Sequence, residues 1–240
     1  MKKLKFWSMI VLAVMVIPTM VACGGDDDGG GVTPPTGKRL VKMTEVGEKN
    51  TYVFEYSYDS QGRVVRIDRK KNDVSDQSTT YAYTDNKIVK KTTYAAGDMR
   101  QTEYMLENGF IVSEKHQQES DNVQYTYAKN HIATRTTSRY TYNYTWSGGN
   151  LTAVEHAGKT ETYEYTNIIA PQCPFNFMEL DDPLASYHGI TTKNLPSKFV
   201  DSNEVFLYDW TMEGGLPVKM VTTETDKGGT HIDIVTLEWK

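Results

Sequence analysis

From Thr51 onward, apolar and polar residues alternate along most of the chain, and the alternation is interrupted at near-regular intervals by glycine, asparagine and aspartate. In the stretch "YVFEYSYDSQGRVVRID", Tyr52, Phe54, Tyr56 and Tyr58 share one face of an extended strand, while Glu55, Ser57 and Asp59 share the other. The same holds for Tyr140, Tyr142, Tyr144 and Trp146. The opening grammar returns in "TTYAYTDNKIVKKTTY", "QTEYMLENGFIVSEK", "VQYTYAKNHIATRTT", "YNYTWSGGNLTAVE" and "VFLYDWTMEGGLPVKMV". Each unit has an aromatic pair two residues apart, then turn residues, then an aliphatic residue that opens the next strand.

The second aromatic slot is held by Tyr58, Tyr83, Leu106, Tyr127, Trp146 and Trp210, and the first five follow one another at about 25, 23, 21 and 19 residues. That period suits one two-stranded hairpin per unit. Turn residues Asp85-Asn86, Asn108-Gly109, Lys129-Asn130, Gly148-Gly149 and Gly214-Gly215 are of the types that accept the positive φ of tight hairpins. The pattern predicts an all-β antiparallel meander of about sixteen strands between Arg39 and Trp239. So many strands should not remain flat with free edges, so the expectation is a strongly curved sheet or a soluble barrel with its tyrosine-rich face inward. A transmembrane barrel would need an apolar outer band, and segments such as Lys87 to Tyr94 hold only one or two aliphatic residues.

Between residues 167 and 199 the alternation stops, and apolar residues crowd an interval rich in proline. Asp181-Asp182-Pro183 has the composition of a helix start, with acids and proline in the first turn. A long apolar loop does not stand in solvent, so this insert is expected inside the barrel or across its mouth. Phe175, Phe177, Met178, Leu180, Leu184 and Tyr187 are its plug or lid residues.

The N-terminus has a different grammar. Lys2, Lys3 and Lys5 precede an apolar run from Phe6 to Met20, the layout of a signal peptide, and the run is too short to span a bilayer. It ends at Val21-Ala22-Cys23-Gly24, which resembles the lipobox of bacterial lipoproteins, with Cys23 as the acylated residue. The tract "GGDDDGGGVTPPTG" has one apolar residue, Val32, and reads as a solvated tether. Its Asp26-Asp27-Asp28 resembles the acidic export signal of Bacteroidetes surface lipoproteins. The expected organisation is a signal peptide over 1–22, a lipidated tether over 23–37 and one β domain over 38–240.

Composition narrows the function. A formal net charge of −5 gives no electrostatic footprint for nucleic acid. With Cys23 acylated, Cys173 has no partner for an intramolecular disulfide, and its apolar neighbours make it a small hydrophobe rather than a nucleophile. Nucleophile-elbow, zinc-protease, dinucleotide and phosphate-loop motifs are missing from the sequence. His116, His131, His156, His188 and His231 are widely spaced, so no metal or cofactor is expected. His188 with Asp181 and Asp182 is the nearest approach to a site, and capping of a helix by the acids explains it more simply. Trp146, Trp210 and Trp239 are candidates for stacking on a sugar ring, against the plainer reading of Trp146 and Trp210 as the last core aromatics before their turns.

Together, the lipobox with its acidic tether, the Y-x-Y-D-x-x-G-R hairpins and the late insert ending in "KNLPSKF" resemble a Bacteroidetes lipoprotein family, domain of unknown function 4595, described as porin-like in fold. The resemblance covers 38–240 and implies a fold and an outer-membrane address, without catalytic residues. The expected function is that of a lipid-anchored, surface-exposed, non-enzymatic module that binds a glycan or protein. The alternative is a carrier of a small apolar ligand within the barrel, with the insert as lid; a hydrolase using His188 or Asp182 is the third class.

Overall fold

A computed structural model describes residues 37–117, 122–178 and 180–240. The signal peptide, Cys23 and the acidic tether up to residue 36 lie outside the described residues.

Sixteen antiparallel strands form one closed barrel. The first half comprises β1 (Leu40–Val46), β2 (Thr51–Tyr58), β3 (Val64–Lys71), β4 (Val74–Tyr83), β5 (Lys87–Tyr94), β6 (Met99–Glu107), β7 (Phe110–His116) and β8 (Asn122–Ala128). The second half comprises β9 (His131–Thr136), β10 (Thr141–Ser147), β11 (Asn150–His156), β12 (Lys159–Ile169), β13 (Asn194–Val200), β14 (Val205–Glu213), β15 (Leu216–Asp226) and β16 (Gly229–Trp239). Each strand pairs with its sequence neighbours, and the seam joins β1 to β16 from Leu40↔Trp239 to Val46↔Ile234. At the seam Arg39 and Lys240 exchange two backbone hydrogen bonds, of 2.6 and 2.9 Å. Closure removes both sheet edges, which the strand count alone left open.

The tight hairpins follow from their turn residues. Asn108 and Gly109, Lys129 and Asn130, Gly148 and Gly149, and Gly214 and Gly215 all hold positive φ, as two-residue primed turns require. The β4–β5 turn departs from the expectation: neither Asp85 nor Asn86 has positive φ, and the Thr84 amide and hydroxyl both donate to the Lys87 carbonyl, at 2.8 and 3.1 Å.

The strand directions give the barrel two unlike ends. At one, which we call the closed end, β1 begins, β16 finishes and the repeat turns lie. There the first or second residue of every odd strand is aliphatic and almost fully buried: Leu40, Val64, Ile88, Ile111, Ile132, Leu151, Leu195 and Leu216. The aromatic slot of the even strands completes this belt. On six of the eight even strands the ring in that slot donates a hydrogen bond to a backbone carbonyl at the start of the preceding odd strand: Tyr58 to Leu40, Tyr83 to Val64, Tyr127 to Ile111, Trp146 to Ile132, Trp210 to Pro196 and Trp239 to Pro217. Register shifts fall at Ser57/Tyr58, Thr126/Tyr127 and Thr145/Trp146, placing the slot at a β-bulge, where the strand twists and re-aims a side chain. The repeat is therefore a repeated hydrogen bond as well as a repeated hydrophobe.

The connection from β12 to β13 runs across the closed end. Its strand-free part is 170–193, shorter than the 167–199 read from the sequence, because Asn194–Val200 pairs with β12 and β14. Pro196 lies next to a register shift, where a strand tolerates proline, and its carbonyl still serves Trp210. The helix expected at Asp181-Asp182-Pro183 does not form. Asp182 Oδ1 accepts from the Leu184 amide at 3.0 Å, and a single turn follows, with the His188 amide on the Leu184 carbonyl at 2.9 Å.

Phe175, Phe177, Leu180 and Leu184 are buried in the same core cluster as the inward faces of the strands, and half-buried Tyr187 packs against it. Met178 is half-buried. Full burial of one such side chain contributes about 1.5–3 kcal/mol, so four place the connection among the larger contributors to the core. Backbone bonds tie it to three hairpins: Ile111 donates to the Tyr187 carbonyl at 2.9 Å, Ile132 to Gly189 at 3.1 Å and Lys193 to Gly149 at 2.9 Å. Gly189 is required in that contact. It has a φ of +61°, and a Cβ there would stand 3.0 Å from the Asn130 carbonyl oxygen.

Candidate functional site

At the other end of the barrel, which we call the open end, the inward face changes character. Where the aromatic repeat would continue, the strands β3 to β7 present Arg69, Gln77, Thr79, Lys90, Thr92, Arg100, Thr102 and His116. They line a cavity of about 450 Å³, closed off below by Phe54, Ile67, Tyr81 and Asp181. A volume of this size lies in the range of small-molecule sites.

The wall is built of cross-strand ladders. Tyr81 faces Lys90, Lys90 faces Thr102, and Thr102 faces His116. In the next row toward the mouth Thr79 faces Thr92 and Thr92 faces Arg100. Hydrogen bonds hold this lining in place: Thr79 and Thr92 hydroxyls at 3.1 Å, Gln77 Nε2 to the Thr79 hydroxyl at 3.1 Å, and the Thr102 hydroxyl with His116 Nδ1 at 2.9 Å. Arg69 is paired with Asp76, its Nε donating to Oδ2 at 2.8 Å. On the seam side of the mouth, burial raises the Glu45 carboxyl above the usual range, and nearby Asp233 and Asp181 push the same way.

Between pocket and belt lies a buried polar layer that joins the connection to the strands. His188 is 9% exposed and meets the rings of Tyr104 and Tyr125 at 5.9 and 5.2 Å. Burial pushes its imidazole below the ordinary histidine range, against the pull of Asp182 and Glu114 and with the help of Arg135 and Lys90. Glu114, 7% exposed, stands 3.7 Å from Arg135 and 3.6 Å from His116. Among the described residues, no group of three or more histidine, cysteine, aspartate or glutamate side chains is placed to hold a metal ion.

The indoles read as sugar contacts sit at the closed end. The ring N–H groups of Trp146, Trp210 and Trp239 all donate to backbone carbonyls, at 2.8, 2.7 and 2.7 Å. Trp146 stacks on His131 at 4.2 Å, and Trp210 meets Phe177 edge to face at 5.7 Å. Half-buried Cys173 places its sulfur 3.6 Å from the Phe175 carbonyl. None of these residues lines the open-end cavity. The cavity residues themselves lie on strands whose alternation is polar on both faces, so hydrophobic pattern does not single them out; the only sequence sign is a basic residue at an inward position, as at Lys90.

The outward face is charged. Lys42 pairs with Glu238 at 2.9 Å, Lys70 with Glu55 at 3.3 Å, Lys87 with Glu103 at 3.7 Å and Lys198 with Glu164 at 3.0 Å. Exposed large apolar residues are spread around the barrel: Val46, Leu207, Ile232 and Ile234 on β1, β14 and β16, and Val74, Met99, Met105, Tyr140 and Ile169 elsewhere.

No protein-family profile and no curated protein matches the sequence. The architecture does have counterparts. A porin-like protein from Bacteroides uniformis is similar with a TM-score of 0.62 at 16% identity, covering 84% of this chain and 98% of that one. A porin-like protein from Bacteroides vulgatus is similar with a TM-score of 0.58 at 12% identity, covering 85% of this chain and 99% of that one. At these identities the likeness is one of fold.

Proposed function

We propose that this chain is an envelope lipoprotein whose barrel stands in water and binds a ligand, without catalysis, in the pocket at its open end. The carrying observation is the polar cavity of about 450 Å³ at one end of a barrel whose other end is filled by its own connection. Paired charges on the outer face support a solvated exterior. Each Lys or Arg facing lipid at the bilayer midplane would cost about 2–4 kcal/mol. The Cys23 lipobox supports anchoring, and Asp26 to Asp28 support export to the cell surface.

Entry of the described chain at Leu40, at the closed end, supports a reading in which a lipid on Cys23 leaves the pocket mouth open to water. The plug residues Phe175, Phe177, Met178, Leu180, Leu184 and Tyr187 act as structure in this reading, and the polar pocket wall favours a polar ligand over the apolar cargo of a carrier.

Two experiments test it. Cys23→Ala should lose acyl labelling and outer-membrane association; a variant that still fractionates with that membrane sinks the anchoring. Gln77→Trp fills the cavity mouth from its inward position on β4 and should abolish capture of ligands found by a glycan and metabolite screen. Unchanged capture by the folded variant sinks the pocket.

A further inference from the structure

Around Thr102, three nitrogen-bearing side chains converge on the pocket from three strands. Lys90 on β5 and His116 on β7 are its two cross-strand partners, and Arg100 precedes it by two residues on β6. Residues two apart on a strand share a face, which makes Lys90 and Arg100 diagonal neighbours about 7–8 Å apart. Two long side chains at that spacing reach one small group between them.

Among the described residues their charges are also uncommitted. Arg69 has Asp76, and the Glu114 carboxylate is shared by Arg135 and His116. Among the described residues no carboxylate lies within ion-pair distance of Lys90 or Arg100; they sit over the rings of Tyr81 and Tyr94, at 5.9 and 5.5 Å. With Arg69 taken up by Asp76, the wall leaves Lys90 and Arg100 facing one carboxylate among the described residues, Asp181, in a chain whose net charge is −5. Local charge therefore runs against the charge of the whole.

The Tyr81 ring forms part of the cavity floor, with its buried hydroxyl behind it. Gln77 and Gln117 add amide donors and acceptors near the mouth, chemistry that suits hydroxyl groups.

We infer that the pocket takes a small hydroxylated molecule carrying one oxyanion, a carboxylate or a phosphate, held by Lys90 and Arg100 beside Thr102. This rests on the pocket being the binding site. Glucose, glucuronate and glucose 6-phosphate share one ring and differ in the anion, so calorimetric titration of the mature chain with the three separates the anion from the ring. Both acids, or one of them, should bind at least about tenfold more tightly than glucose. The stronger acid identifies the source of the oxyanion. Lys90→Met keeps the aliphatic stem over Tyr81, and with Arg100→Gln it should remove most of that preference while circular dichroism stays unchanged. Equal affinity for glucose and the acids, an undiminished preference in the folded variants, or no binding of either acid overturns the inference. A neutral ligand whose binding is lost in Gln77→Trp overturns it too, yet leaves the pocket standing.

Discussion

The hydroxyl of Tyr56 on β2 donates a 3.1 Å hydrogen bond to the carbonyl of Leu180, a residue 124 positions later in the connection that fills the closed end. The same ring meets Phe175 edge to face at 4.9 Å. The early repeat and the late connection thus stabilise each other. Phe175→Ala should cost about 3–5 kcal/mol and Tyr56→Phe about 1 kcal/mol, read as shifts of the urea midpoint. Replacing 175–187 by a Gly/Ser linker should leave no cooperative transition. A linker variant that melts like the parent and takes up apolar dye would reverse the assignment of plug and cargo.

The belt makes a prediction in the stabilising direction. Leu106 occupies an aromatic slot, at the Met105/Leu106 register shift, and its amide donates to the Asn86 carbonyl two residues before fully buried Ile88 on the neighbouring strand. Leu106→Tyr supplies the donor that Tyr83 and Tyr127 provide on either side, and should raise stability by about 0.5–1.5 kcal/mol. Tyr83→Phe should lower it by a similar amount. Thermal melts of the pair decide whether the repeated hydrogen bond or ring volume sets the slot.

Gly189→Ala should destabilise by about 1–3 kcal/mol, since φ is +61° and the added methyl meets the Asn130 carbonyl at 3.0 Å. Gly97→Ala also has positive φ, but nothing lies within 4 Å of the new atom. The difference in melting temperature between the two variants isolates the contact from the backbone conformation.

Acid should loosen the barrel through His188. Its folded pKa lies below its unfolded value of about 6.5, so the unfolded chain binds the extra proton first. The contribution is fully present above that value and is lost as pH falls below it toward the folded pKa. Denaturation midpoints should therefore fall as pH drops below about 6.5. In His188→Gln the fall should be shallower, although the variant is less stable throughout; parallel profiles for the two proteins would remove His188 as the source.

Much of the barrel was legible because its signal is repeated. Alternation and turn residues place the strands from Leu40 to Trp239, and Tyr58, Tyr83, Tyr127, Trp146 and Trp210 mark one end of it. Two further members of that slot were not legible: Tyr165 leads into the connection and Trp239 into the last residue, so neither is followed by the turn that identifies the others. β13 was hidden by Pro196, which reads as loop until the bulge beside it is seen. The pocket was hidden for a different reason. Burial inside a barrel does not require apolarity where side chains bond to each other across strands, so Thr79, Lys90, Thr92 and Thr102 read in sequence as a solvent face.

The seam carries a consequence for biogenesis. Since Leu40 pairs with Trp239, the first strand to emerge from a ribosome or a secretion channel waits for the last before it has two neighbours. Every shorter product is an open sheet with two hungry edges, and such edges pair between molecules as readily as within one. Long-range closure of this kind is slow. Maturation therefore calls for holding the chain apart from its copies until β16 arrives, and any product lacking β16 is a seed for aggregation rather than a smaller barrel.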